Sequence, residues 1–102
     1  SAYYYNLTVP PFNGSVSTNN EAKEVTNAYG WITSWGVGGD YQVDARFEES
    51  NGSGITGWYR IDDGTHVATP IYRLAGTLIH VRFSNDTFTP VHVQVTGDWG
   101  PG

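Results

Sequence analysis

The chain has 102 residues, enough for one domain that buries roughly two thirds of its unfolded surface around a single core. Charged residues make up 15%, against about 25% in an average soluble domain, and aromatics reach another 15%, which excludes a disordered chain, a coiled coil and a charged tail. The net charge is −5, so four arginines and Lys23 cannot build the basic surface that nucleic acid or an anionic lipid surface requires.

Period-two alternation dominates, and no stretch of roughly 11 or more residues keeps a helical stripe. Tyr3, Tyr5, Leu7 and Val9 alternate with Tyr4, Asn6 and Thr8 until Pro10-Pro11 ends the strand. The polar segment 12–27 has room for one short strand over 15–18, a turn at Asn19-Asn20 and a helical turn over 21–25. The next strand is predicted over 27–35, with Tyr29, Trp31 and Trp35 on its core face and Gly30, Ile32 and Ser34 on the other. After a glycine-rich turn over 36–40, Tyr41, Val43, Ala45 and Phe47 point inward while Gln42, Asp44, Arg46 and Glu48 face water.

Residues 51–54 read as a hairpin connection. Ile55, Gly57, Tyr59 and Ile61 then take the core parity, leaving Trp58 and Arg60 outward, and Asp63-Gly64 closes the strand. A short strand over 66–69 stops at Pro70. Over 77–83, Ile79, Val81 and Phe83 are inward, with Leu78, His80 and Arg82 outward. The last strand buries Val91, Val93 and Val95 and exposes His92, Gln94 and Thr96, while Trp99 plugs the end of the core from a C-terminal turn. Short strands broken by turns at roughly 8 to 12 residues predict an all-β chain, a single-domain antiparallel β-sandwich over 1–102 of Greek-key or jelly-roll-like form. Ser1-Ala2 reads as a cloning scar, and low lysine leaves sheet edges open to self-pairing, hence to a homo-oligomer.

No cysteine and no methionine are present, so thiolate chemistry and disulfides are absent. No apolar run approaches the roughly 18 residues of a membrane span. If the last two strands pair as a hairpin, His92 lies across from His80 or Arg82, and the two imidazoles are the weak candidates for a metal site. Asp44 and Glu48 share a face but stand about 13 Å apart, beyond the roughly 5 to 9.5 Å of a glycosidase pair. Nucleophile elbows, phosphate loops and cofactor fingerprints are missing, so the chain reads as non-enzymatic and cofactor-free. Four Asn-X-Ser/Thr triplets, at Asn6, Asn13, Asn51 and Asn85, are accounted for by composition.

Binding is expected to fall to the outward aromatics. Trp58 offers a ring face to stack a sugar, Arg60 a hydrogen-bonding neighbour, and Tyr4 a second outward ring. The segments Tyr3-Tyr4-Tyr5-Asn6-Leu7, Arg60–Thr65 and Val91–Pro101 are similar to small exported proteins of Gram-positive bacteria that have no assigned activity. That resemblance implies export and a β-sandwich, and brings no catalytic residue with it. Size, export and aromatic content also resemble the cysteine-free lactococcin 972-type bacteriocins, which implies antimicrobial action as the alternative. The expectation is a secreted, extracellular or wall-associated module that binds cell-wall glycan or another surface polymer through Trp58, Arg60 and Tyr4.

Overall fold

The computed structural model describes residues 1–102 and contains no helix. Nine strands form: β1 (Tyr3–Val9), β2 (Ser15–Ser17), β3 (Glu21–Ala22), β4 (Tyr29–Val37), β5 (Val43–Glu49), β6 (Tyr59–Ile61), β7 (His66–Pro70), β8 (Leu78–Asn85) and β9 (Val93–Gly100). They build two antiparallel sheets. Sheet I has the order β1-β9-β4-β7, and sheet II has the order β2-β8-β5-β6 with β3 also on β8. This is the β-sandwich that the alternation predicts.

The inward parities of β1, β5, β8 and β9 meet between the sheets. Val9, Ile32, Val43, Ala45, Phe47, Ile61, Ile71, Ile79, Val81, Phe83 and Val95 are all 0% exposed. Each such Val, Ile or Phe side chain contributes about 1.5 to 3 kcal/mol of transfer free energy. Tyr5 of sheet I lies on Phe83 of sheet II with ring centroids 4.8 Å apart, and Tyr3 packs on Trp99 at 5.6 Å. Trp99 does fill the core, from within β9 rather than from a turn.

Five expectations are corrected. Tyr29, Trp31 and Trp35 do not face the core: Gly30, Ile32 and Ser34 are the buried parity of β4, while Tyr29 and Trp35 are 63% and 57% exposed. The reason is space. A Cβ on Gly30 would meet Ile71 Cγ1 at 2.8 Å, and the Tyr5 ring occupies the volume inside Gly97, which pairs with Ser34. At Gly30 and Ser34, on either side of the buried Ile32, only small side chains fit beneath β4, so the aromatic ones stand on the outward parity.

The 84–92 connection is not a hairpin either. It crosses between sheets, so β8 pairs with β5, β2 and β3 while β9 pairs with β1 and β4. Asn85, 1% exposed, ties the crossing down by donating its amide to Pro10 O and Val91 O, both at 3.1 Å. His80 and Glu48 keep their outward parity yet are buried, at 8% and 1% exposure. Tyr41 and Val91 precede their strands and are exposed, and 21–25 forms β3 and a turn instead of a helical one. In that turn Lys23 is 1% exposed and donates to Ala28 O and Pro101 O, both at 2.8 Å; burial pushes its ammonium below the usual range.

Candidate functional site

The residues singled out in the sequence fall on opposite sides of the sandwich. Tyr4 stands on the outer face of sheet I, whereas Trp58 and Arg60 belong to the outer side of sheet II. The structure brings Trp58 and Arg60 near one strand pair and leaves Tyr4 across the molecule. His80 and His92 are likewise separated, His80 within sheet II and His92 just before β9 of sheet I. No group of three or more His, Asp or Glu side chains is placed to hold a metal ion.

On sheet II the charged groups are engaged with one another. Arg46 and Arg82 sit directly opposite across β5 and β8, a repulsive pairing unless an acid lies between them. Glu48 supplies it, accepting from Arg46 Nε at 2.7 Å and lying 3.7 Å from Arg82 Nη1, while its other oxygen is 2.9 Å from His80 Nε2. Burial pushes the Glu48 carboxyl up, but the His80 and Arg46 bonds and the two guanidinium charges outweigh that and hold it below the usual range. The Arg46 guanidinium carbon also lies 4.5 Å from the centre of the Trp58 ring, so one face of this indole is already covered. Arg60 donates to Gln42 at 2.9 Å and makes a two-pronged bond to Asp86 at 2.5 and 2.7 Å, with Asp44 at 3.4 Å. That Arg60 bond holds the Asp86 carboxyl low against a smaller opposing effect of burial. Arg73 completes the set by bonding Glu49 at 2.8 Å.

Sheet I presents a different outer face. The row Tyr4, Asp98, Thr33, His66 crosses all four strands in register. Trp31 lies two residues from Thr33 along β4, on the same face, and its six-membered ring sits over Gly100 where any Cβ would collide with it. Glycine at position 100 is therefore a requirement of that ring's seat. Trp31 Nε1 donates to Asp98 Oδ1 at 3.1 Å, which fixes the indole and leaves Asp98 Oδ2 without a partner. Beside them Thr33 Oγ1 and His66 Nδ1 are 2.9 Å apart.

On the far side of that row, β4 carries a bulge between Ser34 and Gly36. A bulge adds one residue and re-aims its side chain. Here the extra residue is Trp35, thrown outward to pack on Tyr4 with ring centroids 5.5 Å apart. Gln94 donates to Asn6 at 2.8 Å next to this pair, and Gly36, Gly38, Gln94 and Thr96 enclose a shallow trough of about 190 Å³ in line with it. Two larger cavities exist elsewhere. One of about 560 Å³ lies at the end of the sandwich among Tyr41, Asp86 and Phe88, and one of about 500 Å³ lies between β1 and residues 17–21. In the first, both acids in the lining are bonded to Arg60, and the second is walled by core side chains such as Tyr5 and Trp99.

Sequence reasoning missed Trp31, Trp35, Asp98, Thr33 and His66. The available signal was glycine: Gly97 and Gly100 in β9, and Gly30 with Ser34 in β4, are small residues in central strands, a mark of close approach by something large. Compared with known protein families and with curated proteins, the chain matches none.

Proposed function

We propose that the protein is a non-enzymatic, exported binding module that holds a polymer of the cell envelope, a glycan, against the outer face of sheet I. The observation that carries this reading is the placement of Trp31, Trp35 and Tyr4 on one exposed and almost uncharged surface, around the free oxygen of Asp98. Indole and phenol rings offer apolar faces to the C–H faces of a sugar, while Asp98, Thr33 and His66 supply hydrogen-bonding groups between the rings. Exposed apolar surface rimmed by such groups is the ordinary mark of a binding site. Trp58, exposed on the other sheet with Arg46 over one ring face, is the natural control. Self-association, if the chain undertakes it, belongs to β1, a seven-residue edge strand that carries no charged side chain.

The test is co-sedimentation with isolated Gram-positive cell walls. Wild-type protein should leave the supernatant, Trp35→Ala should stay in it, and Trp58→Ala should behave as wild type. Loss of binding in Trp58→Ala alone would move the site to sheet II, and a wild-type protein that remains in solution would remove wall binding altogether.

A further inference from the structure

Granting that polymer-binding reading, we propose that the ligand is a linear, uncharged glycan chain lying along β9, gripped at separate sugar units in its interior rather than at an end. The stations on sheet I are in line. Trp31 sits over Gly100, Asp98 follows, then the Tyr4–Trp35 pair beside Gly97, then the trough bounded by Thr96 and Gln94. From Gly100 to Gln94 is six residues, or about 20 Å of extended strand. Trp31 and Trp35 are four residues apart on β4, about 13 Å before the shortening by the bulge. One sugar ring cannot touch both indoles, so a monosaccharide engages only half of the surface. The trough is an open depression and not a closed pocket, its floor kept bare by Gly36 and Gly38, so nothing in it marks a chain terminus.

Charge defines the ligand further. None of the four arginines reaches this face: Arg46, Arg60 and Arg82 stand on sheet II, Arg73 is bonded to Glu49 of β5, and Lys23 is buried. The face carries the carboxylate of Asp98 on a molecule of net charge −5. A polyanion, such as a polyphosphate or a polyuronate, finds no counter-charge here and meets repulsion from Asp98. An uncharged chain meets neither.

The experiment is a calorimetric titration with two neutral series, β-linked glucose and N-acetylglucosamine oligomers of one to six units, and with polygalacturonate as the anionic probe. Affinity for one neutral series should rise at least tenfold from the dimer to the hexamer, with no heat from polygalacturonate. Trp31→Ala, shown folded by its amide spectrum, should bring the hexamer down to the affinity of the shorter members. Equal affinity for monomer and hexamer, or stronger binding of the polyanion, would overturn the proposal. So would silence from both neutral series while cell walls still deplete the protein, because the wall ligand would then be of another class. If the walls fail to deplete it as well, the underlying polymer-binding reading is what falls.

Discussion

The two outer faces of this sandwich are built from the same alternation and differ in how far their side chains are engaged with one another. On sheet II every arginine is bonded to an acid, and Glu48 lies beneath two of them at 1% exposure. Its polar groups satisfy one another. On sheet I the large side chains are aromatic, the single carboxylate keeps one oxygen free, and Tyr4 and Trp35 are 79% and 57% exposed. A surface whose charged groups are mutually bonded contributes to stability, and one that keeps exposed ring faces and an unused carboxylate oxygen has groups left over for a ligand. The difference lies in what each side chain has left to give, and not in how polar the face is.

Substitutions should divide along the same line. The largest stability effect is expected from Glu48→Ala, which leaves Arg46, Arg82 and His80 facing each other without their shared acid; removing one member of a buried charged set costs about 3 kcal/mol or more. Urea denaturation followed by circular dichroism reads this, and the folded fraction should still sediment with cell walls. A loss below about 1 kcal/mol would mean that the sheet II network is ornamental. Trp35→Ala should show the reverse, with at least a tenfold loss of binding and a stability change within about 1 kcal/mol, because the side chain is mostly exposed.

Acid sharpens the contrast. The carboxyls of Glu48 and Asp86 are held below their ordinary values of 4.5 and 3.8, so folding favours their ionised forms. Their contribution is fully present above those ordinary values and is lost as the pH falls through the lower folded ones. The urea midpoint should therefore be steady from about pH 7 to 5 as far as these two groups determine it, and should drop below about pH 4. Glu48→Gln and Asp86→Asn should each flatten that drop. The smallest effect is expected from Arg60→Ala: its pairs are about half exposed, so the cost should stay near or under 1 kcal/mol, with wall binding unchanged.

Most of the fold was legible from one-dimensional periodicity. β1, β5, β8 and β9 each have a buried parity of branched or aromatic residues, and for these the alternation predicts the correct face. It fails at β4, where size and burial part company. Ile32 is the only large residue inside, and the flanking Gly30 and Ser34 are small because Ile71 and Tyr5 reach in from elsewhere in the chain. No local pattern encodes that intrusion, and it is what turns Trp31 and Trp35 into surface groups. The hairpin between the last two strands, on which the His80–His92 pairing depends, does not form for a related reason. Residues 84–92 resemble a hairpin by length, but Asn85 binds carbonyls at positions 10 and 91 and so carries the chain from one sheet to the other. Parity at Glu48 and His80 was correct while their exposure was not, since the 20 and 54 segments close over them. Of the site, only Tyr4 was visible in advance.

The distribution of the four indoles has an optical consequence. Trp99 alone is shut away from water, while Trp35 and Trp58 are exposed and Trp31 is half so. Unfolding carries one indole from a fully apolar setting into solvent, whereas a sugar chain laid over Trp31 and Trp35 changes the surroundings of two. The native emission should therefore already be that of a mostly wetted population, so that a fluorescence titration would respond to a ligand on Trp31 and Trp35 more than to loosening around Trp99.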